Sequence, residues 1–243
     1  FSATFPAEVD ALAQRLLHDP LRVALAHQAA GSLTDAAAAA DEAGAAGERR
    51  LTERAIEVDS TRRTPLLRHL IDQEGWPRVM VFVATRYACD HVADKLRRAG
   101  LTAEAFHGDA SQGARTRLLA AFKAGELQVL VATDLGARGI DIAQLPVVVN
   151  YDLPRAAADY VHRIGRTARA GASGLAISFI SPATEAHFRL IEKRQGRRVP
   201  RERIEGFDVT ETAPAGAATG GIKGKRPSKK DKLRAAAAGS SGH

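Results

Sequence analysis

Scarcity narrows this chain before any motif does. Cys89 is the only cysteine among 243 residues, so neither an internal disulfide nor a thiolate metal cage can form. A reducing compartment, with the cytoplasm as the simplest case, is therefore expected. The 8 histidines show no clustered ligand spacing, which argues against a structural metal. No apolar run approaches the roughly 20 residues needed to cross a bilayer, so no membrane partner is expected. A signal-peptide pattern is missing as well, yet the first residue is Phe1 and not Met, and the true N-terminus is expected upstream.

What is present describes a folded core with an attached charge. Apolar content of 45% is ordinary for a globular domain, and the length allows one large domain or one domain with appendages. Net charge is +7, but the stretch from Ala218 to His243 carries seven Lys or Arg (Lys223, Lys225, Arg226, Lys229, Lys230, Lys232, Arg234) against Asp231 alone. That tail accounts for +6, so the rest of the chain is near neutral. Any polymer-binding surface on the body must come from how its charges are arranged.

From Phe1 to Leu25 the pattern reads as a short strand, a helix with Val9, Leu12, Ala13 and Leu16 at helical spacing, and another strand. Two strands and a helix cannot bury themselves, so these resemble the closing elements of a domain whose larger part is absent. Residues 29–50 are Ala, Gly and charge, a linker or a loose helical insertion. After Leu51 strands and helices alternate: a strand over Arg54–Val58, a helix over Thr64–Asp72, and the continuous apolar run Val79–Ala84 of a strand covered on both faces. Next come a helix over Arg86–Ala99 with Cys89, Val92, Ala93 and Leu96 inward, a strand over Leu101–Phe106, and a helix over Ser111–Ala124 ended by Gly125. Strands at Gln128–Ala132, Val147–Asn150 and Leu175–Ile180 and a helix over Ala183–Arg194 follow. This alternation predicts a parallel sheet with right-handed crossovers, and ligands at the carboxyl ends of its strands. Beyond about Thr210 the composition predicts disorder. Gly224-Lys225 in the tail is rejected as a phosphate loop, because Arg226 stands where Ser or Thr is needed and no strand precedes it.

Polar residues cluster where strands are expected to end: Thr85; His107-Gly108-Asp109 leading to Gln112 and Arg115; Thr133-Asp134 followed by Gly136, Arg138, Gly139 and Asp141; and Asn150. Each has a structural alternative. Ser111 and Gln112 could cap a helix, His107 could be a satisfied buried histidine, Asp141 could pair with Arg138, and Asn150 could cap a turn. Four successive strand tips together point to a ligand edge. The segment Tyr160–Gly171, YVHRIGRTARAG, sets His162, Arg163, Arg166 and Arg169 across a helix end, with Pro154 in its first turn and Gly165 at its close. Fixed guanidiniums at 166 and 169 suit the charge that develops in phosphoryl transfer, as arginine fingers, and a solvated basic surface is the alternative.

VFVATR, FHGDASQGARTRLLAAF, VATDLGARGID, VVNYDLP and YVHRIGRTARAG resemble, in order and spacing, the second RecA-like domain of DEAD-box RNA helicases, and FSATFP resembles the SAT motif closing their first. The likeness spans about Phe1 to Pro182. It implies an α/β fold, a RecA-like parallel sheet sandwiched by helices, with a disordered basic tail. It divides the chain into closing elements of a first domain (1–28), an Ala-rich linker (29–52), the second RecA-like domain (53–209) and the tail (210–243). It implies that Thr85, Gln112, Arg115 and Thr133, with His107, Gly108 and Arg138, contact the RNA backbone. Asp141, with Gly139, would meet the ATP ribose, and Arg166 and Arg169 the γ-phosphate. His162 and Arg163 would link nucleotide and RNA sites across the domain interface, and Ser2 and Thr4 would couple hydrolysis to strand separation. Ala168 stands where the family usually has Gly, a change tolerated unless that position needs φ > 0. The phosphate loop, adenine-reading motif, DEAD acids and Mg ligands would lie upstream of Phe1, on an N-terminal RecA-like partner domain, so this chain alone is expected to lack ATPase activity. An ATP-independent RNA-binding scaffold and a DNA-directed helicase are the rival readings.

Overall fold

The structure is a computed structural model and describes residues 15–16, 51–140, 142, 144–168 and 173–213. The chain divides into two units, Phe1–Asp41 and Glu42–His243. Of the first, only Arg15 and Leu16 are described, and both are helical. The expected elements and boundaries elsewhere in 1–50, and the tail beyond residue 213, lie outside the described residues.

In strand β2 (Val79–Val83) every residue is buried, so both faces of the strand must be covered. Its pairings show why. The strands β1 (Leu51–Glu57), β2, β3 (Ala103–Phe106), β4 (Val129–Thr133), β5 (Val147–Asn150), β6 (Gly174–Ile180) and β7 (Arg201–Glu202) form one sheet of order β3-β4-β2-β5-β6-β1-β7. All its pairings are parallel. The strand alternation sorts side chains into two cores. On one face Val79, Val81, Val83, Val129, Val131, Val147, Val149 and Ile177 meet helices α1 (Arg63–Glu74) and α2 (Arg86–Arg98) through Leu66, Leu67, Leu70, Cys89, Val92 and Leu96. On the other, Met80, Phe82, Leu130, Ala132 and Val148 meet α3 (Gln112–Ala124) and the short α4 (Asp134–Ala137). Farther along that face Ala55, Ala176 and Ile180 meet α5 (Ala157–Ile164) and α6 (Glu185–Gln195).

Several helix ends follow local chemistry. Gly75, Gly125 and Gly196 close α1, α3 and α6 in the left-handed conformation that glycine adopts without strain. Cys89 is fully buried in α2, where desolvation pushes its thiol up to about 12, so it packs as a small hydrophobe.

Three expectations need correction. The helix carrying the arginine motif begins at Ala157, so Pro154 lies outside its first turn, where its carbonyl oxygen meets His187 Nε2 at 2.7 Å. Strand β1 begins at Leu51, three residues before the expected start at Arg54, because Leu51 to Glu57 pair in register with Gly174 to Ile180. Strand β7 was not foreseen, since its two residues are charged: Arg54 forks onto the Glu202 carboxylate, while Arg201 binds Glu185 and Glu192. Burial alone would raise the Glu192 carboxyl, but hydrogen bonds from Arg201 and the Val199 N–H overcome it and hold the group below its ordinary range. The C-terminal segment then folds back, with Arg62 over the Phe207 ring at 4.9 Å. Thr210 and Glu211 donate backbone N–H groups to the Asp59 carboxylate at 3.0 Å, so the folded body continues past the expected boundary at 209.

Candidate functional site

Because every strand runs the same way, their carboxyl ends line one edge, and the polar residues that follow the strands gather there. Thr85 caps α2, its Oγ1 accepting from the Ala88 N–H at 3.1 Å. Thr133 caps α4 likewise, accepting from the Gly136 N–H at 3.1 Å. A hydroxyl that accepts inward still has its own proton to donate outward, so both caps are suited to an anion. The β4–α4 turn presses on the tip of β3: a Cβ on Gly136 would lie 2.6 Å from the Phe106 carbonyl oxygen, which only glycine avoids. Arg115 closes this corner, donating to the Gly136 carbonyl at 3.0 Å with its guanidinium 4.7 Å over the Phe106 ring. Gln112 and Gly108 are exposed along the same edge. His107 is mostly covered, with Nε2 at 3.0 Å from Asp90 Oδ1, and so follows the structural alternative of a satisfied histidine.

Arg163 is the node behind this edge. Its side chain is only 3% exposed, and it forks onto both oxygens of Asp134 at 2.6 and 2.7 Å. Nη1 donates to Asn150 Oδ1 at 3.0 Å and to the Asp152 carbonyl at 2.7 Å, and the Phe82 ring lies 4.9 Å away. A buried cation requires that degree of pairing. Asp152 in turn accepts from Arg63 and from the Ala84 N–H at 2.8 Å. One guanidinium thus ties α5 to the tips of β4 and β5 and, through Asp152, to the tip of β2. The adjacent residues His162 and Arg163 are divided: Tyr160, Arg163 and Ile164 share the buried face of α5, while His162 is exposed. Asn150 is likewise no turn cap; it is fully buried, donating to Ser178 Oγ at 3.2 Å. Asp152 and Arg63 extend this network and were missed by sequence reasoning, although a polar residue after a fourth strand was a usable signal.

Arg166 is half-buried and donates Nη1 to the Ile140 carbonyl at 2.7 Å, clamping the loop that Gly139 bends with φ +70°. A cavity of about 120 Å³ opens here, walled by Arg138, His162, Arg163 and Arg166 with Asp134 and Asp159. Arg138 Nη2 stands 3.7 Å from Asp159 Oδ1. A larger cavity of about 520 Å³ between α1 and α2, lined by Thr61, Arg68, His69 and Lys95 among others, gathers none of the expected site residues. Asp141, Arg169, Ser2 and Thr4 lie outside the described residues. Ala168 has φ +53°, so the position does adopt the conformation that glycine favours. Just beyond, Gly174 admits no side chain, since a Cβ would fall 1.8 Å from Thr167 Oγ1. Among the described residues no cluster of His, Cys, Asp or Glu could hold a metal ion, and no helix is long and apolar enough to cross a membrane.

A parallel sheet with helices on both faces and a cationic cavity at its carboxyl edge is the architecture of a helicase core domain, and residues 62–171 match the helicase conserved C-terminal domain. The chain is 37% identical over 223 residues to the ATP-dependent RNA helicase DBP2 of Eremothecium gossypii, covering 89% of this chain and 36% of the relative. It is 35% identical over 201 residues to the DEAD-box ATP-dependent RNA helicase CshA of Bacillus subtilis, covering 83% and 37%. The solved E. coli DEAD-box protein SrmB, bound to regulator of ribonuclease activity A, superposes with a TM-score of 0.60 at 36% identity, over 69% of this chain and 98% of that one. The chain belongs to the DEAD-box family and comprises its C-terminal RecA-like domain. It spans about a third of the length of the curated relatives it matches.

Proposed function

We propose that this chain is the C-terminal lobe of an ATP-dependent RNA helicase, in which ATP hydrolysis drives remodelling of RNA duplexes. The observation that carries the reading is the convergence of Arg138, Arg163, Arg166 and His162 on one cavity beside the hydroxyl-capped strand tips. About 120 Å³ is below the ~300 Å³ at which pockets begin to enclose a drug-sized ligand. The cavity therefore suits the phosphate end of a nucleotide whose remaining contacts come from a first RecA-like lobe, which would also hold Mg. When bound, ATP supplies the phosphoryl group transferred to water. The chain's own part is to hold Arg166, with Arg169 proposed beside it, toward the developing charge, and to keep Asp141 and Gly139 for the ribose.

On the RNA side, Thr85, Thr133, Gln112, Gly108 and Arg138 would grip backbone oxygens, which predicts weak sequence preference. Arg115 and His107 support that groove from within, through Gly136 and Asp90. Ser2 and Thr4 are proposed as the coupling residues, residues 29–50 as a linker, and 214–243 as an accessory basic tail. The cytoplasm suits a chain whose one thiol is buried and unpaired.

The test is steady-state ATP hydrolysis by the intact two-lobe enzyme with saturating RNA. Arg169→Ala and Arg166→Ala should each lower turnover by roughly 10³ to 10⁵. Arg166→Lys, which keeps a cation but loses the fork onto the 137–142 loop, separates charge from loop support. Near-normal turnover in Arg169→Ala would overturn the assignment.

A further inference from the structure

Tyr87 is 77% exposed, the only aromatic among the large exposed hydrophobics of the described residues. It sits in the first turn of α2, two residues after the Thr85 cap. Cys89, Val92, Ala93 and Leu96 define the buried face of that helix, and Tyr87 and His91, four residues apart, share the opposite one. Their rings lie nearly parallel, at 11° with centroids 5.6 Å apart. His91 thus supports one face of the phenol while the other is open. Helical side chains tilt toward the helix N-terminus, so Tyr87 leans toward the edge where the strand tips end. The acids nearby are occupied: Arg86 pairs with Asp109, and Asp90 faces His107 at 3.0 Å.

We infer that Tyr87, backed by His91, is a stacking platform for an unpaired nucleobase of the RNA strand whose backbone passes Thr85. The inference rests on the RNA reading proposed above and adds to it a contact to a base where that reading has contacts only to phosphate and sugar. Every base has a π-face, so the platform favours single-stranded RNA without fixing its sequence, and it holds a base that has left a duplex. The strand-tip hydroxyls set the register of the backbone, and the ring takes the base that projects from it.

The experiment measures fluorescence anisotropy of the full 243-residue chain with a labelled single-stranded 12-mer RNA, and with a 12-mer of the same length carrying abasic sites. The unchanged chain should prefer the base-bearing strand by tenfold to a hundredfold, on the order expected for one stacked base. Tyr87→Ala should erase that preference while leaving affinity for the abasic strand unchanged, and Tyr87→Trp should keep or increase it. Being exposed, position 87 tolerates all three residues without threat to the core. If the unchanged chain binds both strands equally, the stacking site is overturned and the backbone reading stands. If it binds neither, the RNA reading and the platform fall together. A preference for bases that survives Tyr87→Ala also overturns the site.

Discussion

Ala168 holds φ +53° in the loop that follows the Arg163 helix, two residues past Arg166, where its methyl is strained by about 1 to 2 kcal/mol relative to a glycine. Glycine would relieve that strain but gain freedom in the unfolded chain worth about 0.4 to 1 kcal/mol. Ala168→Gly is therefore expected to stabilise the domain by up to about 1.5 kcal/mol, read as a rise in urea midpoint at unchanged m-value. Ala168→Val should lose at least about 1 kcal/mol in the same measurement, because a β-branched residue is worse still at positive φ. Sequence could state the condition at this position, since the family usually has Gly there, but only the backbone angle could decide it. The same holds for Arg163: nothing local in the sequence reveals that Asp134, 29 residues earlier, lies within a fork's reach.

Elements were legible where the period was long enough to count. The inward residues of α2, Cys89, Val92, Ala93 and Leu96, are those the helical spacing picks out, and VMVFV reads at once as a strand covered on both sides. Asp134–Ala137 spans a single turn, too short for periodicity to announce it, and Arg201–Glu202 has no apolar residue to announce a strand. Both depend on partners distant in sequence, Phe106 for the one and Arg54 for the other. What joins the elements at the site edge is the Arg163 network, and removing one partner should be costly. Arg163→Ala would free the partly exposed Asp134, leave the buried Asn150 Oδ1 without its donor and open a void beside Phe82, and a loss of about 2 to 4 kcal/mol is expected in denaturant unfolding. Asp152→Asn keeps the shape of the link but weakens its hold on Arg63. In the intact enzyme it should raise the RNA concentration needed for half-maximal hydrolysis more than it lowers turnover at saturation.

Across the whole chain, charge is segregated: a nearly neutral body and a tail from Ala218 onward carrying +6. Deleting residues 218–243 should flatten the dependence of RNA affinity on salt, by about 0.7 in log–log slope for each phosphate the tail neutralises. An unchanged slope would remove the tail from RNA binding. The approach to that tail is fastened by Asp59, whose carboxyl is held below its ordinary value by the Glu211 N–H and by the hydroxyl and N–H of Thr210. A depressed carboxyl stabilises the folded form above its unfolded pKa and stops doing so as pH falls through the lower, folded value. The protection factors of the Thr210 and Glu211 amides, their exchange relative to an unfolded chain at the same pH, should therefore be high near neutrality and fall below about pH 4, and Asp59→Asn should make them low throughout. The sealed thiol at position 89 carries a practical corollary for watching two lobes close. A maleimide dye will pass over a sulfur that is wholly covered and whose ionisation burial pushes up to about 12, so fluorophores can be attached at engineered surface cysteines without first removing the native one.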